Sequence, residues 1–214
     1  MNHDFAKIQA LRLLPIVVMD KAEHAGALGE VLAAGELPLV EVTFRTPAAE
    51  SAVRTFAQRG DLLVGAGTIL TTEQADRAID AGARFLVAPG TNPKVVEHAL
   101  KRNTPMVPGV ATPSEIELAI SLGVEVLKFF PAETMGGVDA LKAFAGPFPD
   151  ARFIPTGGIT PERLPNYLRL SCVLACGGSW MVPRDLLTAG RFDSIAALVE
   201  QAKKLLAGPP DIAT

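Results

Sequence analysis

Residues 105–130, PMVPGVATPSEIELAISLGVEVLKFF, contain one complete strand–helix–strand unit. The apolar run Pro105–Gly109 reads as a short strand, Pro113–Leu122 as a helix, and Val124–Phe130 as the next strand. The punctuation agrees. Thr112 offers a hydroxyl to cap the helix. Pro113 stands where a missing N–H costs nothing. Gly123 lies where a left-handed cap wants glycine.

The same unit repeats outward in both directions. Strands are expected at Leu14–Met19, Leu39–Phe44, Leu62–Thr68 and Arg84–Ala88, then at Arg152–Thr156 and Val173–Cys176. Helices are expected at Lys21–Ala34, Pro47–Arg59, Thr72–Ala81, Pro93–Arg102 and Ser194–Leu206. Gly35 and Gly82 repeat the role of Gly123. Thr46-Pro47, Asn92-Pro93 and Thr160-Pro161 repeat the cap-and-proline pair. Strand starts fall roughly 20–28 residues apart, the length of one βα unit. The strands are continuous apolar runs, as in a parallel sheet covered by helices. The expectation is a single-domain α/β chain, a small (β/α)8 TIM barrel over residues 1–214 with a short N-terminal helix. A doubly wound open sheet is the rival, and the even spacing favours the barrel. Residues 207–214, with Gly208–Pro210, read as a frayed tail.

Composition sets outer bounds. The chain has 214 residues, 49% hydrophobic and 20% charged, which excludes disordered and collagen-like classes. A net charge of −3 argues against a nucleic-acid surface. No apolar run approaches the roughly 18 residues of a membrane span, and the N-terminus lacks the order of a signal peptide. Cys172 and Cys176 cannot build a disulfide framework and read as core thiols of one strand. A cytoplasmic setting is expected.

Catalytic groups of such barrels sit at the C-terminal ends of the strands. Lys128 stands among Leu127, Phe129 and Phe130. Apolar surroundings disfavour the ammonium form, and a neutral amine can form a Schiff base. The plain alternative is a lysine snorkelling to solvent. Period two puts Leu39, Glu41, Thr43 and Arg45 on one side of a strand and Val40, Val42 and Phe44 on the other. Glu41 then serves as a general acid/base and Arg45 as a carboxylate clamp, or the two form a structural pair at the rim. The GAGT stretch Gly65–Thr68 ends a strand and is not a dinucleotide fingerprint, because Leu70 replaces its third glycine. Gly157-Gly158 and Gly177-Gly178 follow the seventh and eighth strands, where these barrels bind phosphate. His3, His24 and His98 form no HExxH, and no Gly-x-Ser-x-Gly elbow occurs. Chemistry without a metal or other cofactor is expected.

These motifs, in this order, resemble the 2-keto-3-deoxy-6-phosphogluconate (KDPG) aldolases, a class I family. The matching stretches are LPIVVM, LVEVTFRT, VGAGTIL, FLVAPG, PMVPGVATPSE, LKFFPAE, IPTGGI and CGGSWMVP, spanning residues 14–183. The resemblance implies Lys128 as the Schiff-base lysine and Glu41 as the general acid/base. It implies Arg45 and Thr68 at the pyruvyl carboxylate, and Pro89 and Phe130 as pocket walls. Gly157, Gly158, Gly178 and Ser179 would hold the phosphate. Thr156 and Ser179 lean toward the gluconate substrate over its C4-epimeric galactonate. The partners implied are a phosphorylated keto acid, pyruvate and glyceraldehyde 3-phosphate, and the assembly a homotrimer. Some members also cleave 4-hydroxy-2-oxoglutarate. An isomerase or epimerase using Glu41 without the lysine, and a non-catalytic phosphosugar-binding barrel, are the readings from other classes.

Overall fold

The computed structural model describes residues 2–206, so the expected frayed tail at 207–214 lies outside the described residues. In chain order the elements are α1 (His3–Leu11), β1 (Leu13–Val17), a 3-10 turn (Ala22–His24), α2 (Ala25–Ala34), β2 (Leu39–Thr43), α3 (Ala49–Arg59) and β3 (Leu63–Gly67). Then come α4 (Thr72–Asp80), β4 (Phe85–Val87), α5 (Pro93–Lys101), β5 (Met106–Val107), β6 (Gly109–Val110), α6 (Pro113–Ser121) and β7 (Leu127–Phe129). The chain continues with α7 (Gly137–Ala145), β8 (Phe153–Pro155), α8 (Leu164–Leu168), β9 (Cys176–Gly178), α9 (Arg184–Thr188) and α10 (Phe192–Leu206).

The fold is α/β, one domain with parallel strands. A six-stranded sheet runs β5-β4-β3-β2-β1-β9 and a three-stranded sheet runs β6-β7-β8. A single eight-stranded sheet was the expectation, and the observed sheets differ from it at two places. The strand expected at Pro105–Gly109 is cut in two at Pro108, which has no N–H to give a ladder. Its halves pair separately, β5 with β4 and β6 with β7. The eighth strand is displaced from Val173–Cys176 to Cys176–Gly178. Val173 keeps one isolated bridge to Phe153, while β9 pairs with β1 from Leu13↔Cys176 to Pro15↔Gly178. Gly177 therefore lies inside a strand and bridges Thr156. A Cβ there would sit 2.4 Å from Thr156 Oγ1, so the close approach of β8 requires glycine. Cys172 falls in a turn before the strand rather than within it. Burial pushes the Cys176 thiol up to about 12.

Alternation divides the core as expected. Leu39 joins Leu14, Ile16, Leu63, Phe85 and Ile154 in an inner cluster, while Val40 and Val42 pack outward with Leu28, Val53 and Phe56 of the helices. Helix α1 completes the inner cluster with Phe5 and Ile8, and leads into β1 through Arg12 in the left-handed conformation. It stoppers the N-terminal ends of the strands.

Two of the four expected caps form. Asn92 caps α5, and Thr112 caps α6 in a reciprocal box with Glu115. Helix α3 starts only after Ala48, so the Thr46 hydroxyl donates to the Met19 carbonyl instead. Thr160 precedes a turn, and Arg163 is the residue before α8. Gly82 and Gly123 adopt positive φ, but Gly35 has φ −78° and Glu36 carries the left-handed residue. What Gly35 provides is space: a Cβ would lie 2.6 Å from Val199 Cγ1 of α10.

Candidate active site

Lys128 is the middle residue of β7 and Glu41 the middle residue of β2. Both face inward, 7% and 1% exposed. Lys128 Nζ lies 3.5 Å from Glu41 Oε1 and 5.3 Å from the centre of the Phe130 ring. The lysine does not snorkel to solvent. Glu41 Oε2 is buried without a hydrogen-bond partner among the described residues. A buried carboxylate oxygen left unpaired is costly, and native interiors seldom tolerate it.

The sequence makes room for this carboxylate on the neighbouring strand. Glu41 pairs in register with Gly65 of β3, two residues before Gly67. A Cβ on Gly67 would lie 2.0 Å from Glu41 Oε1. Gly67→Ala must therefore push the carboxylate aside. A misplacement of about 1 Å can cost on the order of 10²-fold in rate, and that loss is expected in kcat beside a melting temperature lowered by the overpacked strand. Thr68 follows with φ +61°, a left-handed β-branched residue of the kind held at functional sites at about 1–3 kcal/mol.

The pair stands at the floor of a cavity of about 400 Å³. Arg45, Thr68, Pro89 and Phe130 line it, and so do Thr156, Gly157, Gly158, Gly178 and Ser179. Every residue expected at the site thus borders one space. Gly157 and Gly158 have φ +104° and +78°, left-handed backbone that favours glycine. Gly178 ends β9 instead of following it, and Ser179 begins the exposed turn beyond.

The KDPG and KHG aldolase family matches residues 5–198. The chain belongs to this family. The 2-dehydro-3-deoxy-phosphogluconate aldolase of Treponema pallidum is 44% identical over 203 residues, covering 94% of this chain and 97% of that one. The KHG/KDPG aldolase of Escherichia coli K12 is 44% identical over 191 residues, covering 89% and 90%. The crystal structure of KDPG aldolase from Legionella pneumophila, with pyruvate captured at low pH as a covalent carbinolamine intermediate, superposes with a TM-score of 0.90. It is 37% identical and covers 94% of this chain and 98% of that one.

Several walls of this KDPG/KHG aldolase site escape a reading of the sequence: Ile16, Ile159 and Trp180 border the cavity, as does Thr43. Thr43 lies on the Glu41 side of β2, so alternation placed it there; its hydroxyl donates to the Val17 carbonyl at 3.0 Å. Trp180 follows the glycine pair and its indole packs over Gly178, which only the three-dimensional turn makes evident. Of the two alternatives for Glu41 and Arg45, the structural pair at the rim does not form. Glu41 takes Lys128 as its partner, and Arg45 is exposed with no ion pair among the described residues. Behind the Ser179 turn, Arg184 donates twice to Asp20, at 2.8 and 2.7 Å, and Thr188 once, at 2.9 Å. These bonds hold the Asp20 carboxyl at about 2, Arg184 contributing most. Among the described residues, no three His, Cys, Asp or Glu side chains gather as a metal site, and no helix is long and apolar enough to cross a membrane.

Proposed function

We propose that this chain is a class I aldolase that cleaves 2-keto-3-deoxy-6-phosphogluconate to pyruvate and D-glyceraldehyde 3-phosphate, with Lys128 as the Schiff-base nucleophile. The observation that carries the reading is the buried pair itself, an amine and a carboxylate 3.5 Å apart facing one cavity.

Lys128 Nζ adds to the C2 ketone, and loss of water leaves a protonated imine. Glu41 takes the proton of the C4 hydroxyl, directly or through a water. The C3–C4 electron pair flows toward the imine nitrogen, the aldehyde leaves, and an enamine remains. Glu41 returns its proton to C3, and water hydrolyses the imine to free pyruvate and the amine. One carboxyl acts as base and then as acid. The unpaired Glu41 Oε2 supports this role, because a substrate hydroxyl or water would satisfy it.

Arg45 at the rim and Thr68 beside it would take the pyruvyl carboxylate, and Pro89 and Phe130 would wall the keto acid. Gly157, Gly158, Gly178 and Ser179 would take the phosphate, and Thr156 would border the substrate beside them. The two sheets support a closed (β/α)8 barrel, because β5 and β6 are halves of one strand cut at Pro108 and the Thr156↔Gly177 bridge links β8 to β9. The family resemblance supports a homotrimer and 4-hydroxy-2-oxoglutarate as a second substrate, and the free, buried Cys172 and Cys176 support a cytoplasmic setting. An epimerase using Glu41 alone leaves the buried Lys128 without a task.

A pyruvate-coupled assay tests the reading. Pyruvate should appear from the gluconate-derived substrate, with its C4 epimer slower. The dephosphorylated analogue should lose about 10²-fold in kcat/KM, as expected when two bonds to a charged group are missing. Equal efficiency with and without phosphate would remove the phosphate role from the glycine loops.

A further inference from the structure

The loop after β8 carries the phosphate end of the cavity, yet its glycines have no side chains to hold their own conformation. A single residue outside the cavity wall ties both ends of it. The Glu133 N–H donates to the Gly157 carbonyl at 3.1 Å, next to the bond from the Ala132 N–H to the Thr156 carbonyl at 2.8 Å. Across the loop, a Cβ on Gly158 would lie 2.9 Å from Glu133 Cβ, so Gly158 is packed directly on this side chain. The Glu133 carboxylate then turns away from the cavity. Oε1 accepts from the buried Tyr167 hydroxyl at 2.6 Å, and Oε2 pairs with Arg163 at the far end of the loop. Gly137 leaves the space this pair occupies, since a Cβ there would lie 3.1 Å from Tyr167 Oη.

We propose that Glu133 is a positioning residue for phosphate recognition: through Gly157, Gly158 and Arg163 it fixes the glycine loop in the shape that receives the phosphate. The proposal rests on the aldolase reading above and deepens it. Glu133 touches neither Lys128 nor the keto-acid end, so its loss should be felt by the phosphate alone. A purely structural residue would weaken both ends of the site together.

The test compares two readouts in Glu133→Gln, whose amide oxygen still accepts from Tyr167 but cannot pair with Arg163. KM for the phosphorylated substrate should rise about tenfold, the scale of one charge-assisted contact misplaced, with kcat nearly unchanged. The rate at which pyruvate and borohydride label Lys128 should stay within about twofold of wild type. Arg163→Gln, at a side chain 59% exposed, should show the same split and decides the matter if Glu133→Gln does not fold. Parallel loss of both readouts, or no change in either, overturns the proposal. Absence of the pyruvate adduct in the wild-type protein would instead overturn the aldolase reading.

Discussion

Lys128→Ala should lose pyruvate release by at least about 10⁴-fold, the scale seen when a covalent nucleophile is removed from a site that otherwise remains intact. The reason lies in what the imine supplies. Without it, the electron pair of the breaking C3–C4 bond has no sink, and Glu41 alone cannot stabilise a carbanion. Removing the amine also leaves Glu41 buried without its partner at 3.5 Å. A destabilised fold is therefore expected beside the catalytic loss, and Lys128→Met separates the two, because its unbranched apolar chain fills the same space. The direct readout is mass spectrometry after pyruvate and borohydride. Reduction of the imine fixes the adduct, and the labelled peptide should contain Lys128 in wild type and disappear in both variants. Near-normal turnover in Lys128→Ala, or a label on another lysine, would refute the assignment.

Glu41→Gln should lose on the order of 10²–10⁴ in kcat, the range of general acid–base catalysis. The amide preserves shape and hydrogen bonding near Gly67 but cannot take the C4 hydroxyl proton. Pyruvate has no C4 hydroxyl, so the proton transfer assigned to Glu41 in cleavage is not part of its imine formation. Borohydride labelling should therefore survive in Glu41→Gln while cleavage collapses. A loss confined to KM would make Glu41 a binding group.

Much of the site is legible in the sequence, for a physical reason. Lys128 and Glu41 interrupt apolar β-branched runs, and a charge in a strand covered on both faces must have a partner or a purpose. Alternation alone separates Leu39, Glu41, Thr43 and Arg45 from Val40 and Val42. What alternation cannot convey is register between strands. The clash that keeps Gly67 a glycine depends on which residue of β2 stands beside it. For the same reason β9 is misread. Its glycines carry every local mark of a turn, and only their pairing with Leu14 and Pro15 of β1 makes them strand. The part Glu133 plays is invisible for another reason: its partners lie 30 and 34 residues along the chain, on and before α8, whose five residues are too few for a helical period. The N-terminal helix is expected, but its work as a stopper depends on seeing the first residues of several strands converge.

That stopper makes the reaction chamber a cul-de-sac. With Phe5 and Ile8 sealing the strands' opening ends, traffic reaches Lys128 from the side of the glycine loops. On the proposed mechanism, the phosphorylated fragment would lie nearer the doorway, while the three-carbon remainder would still be tethered to the lysine at the back. Departure would then be sequential: the aldehyde would vacate the passage before water came in behind it to release the keto acid.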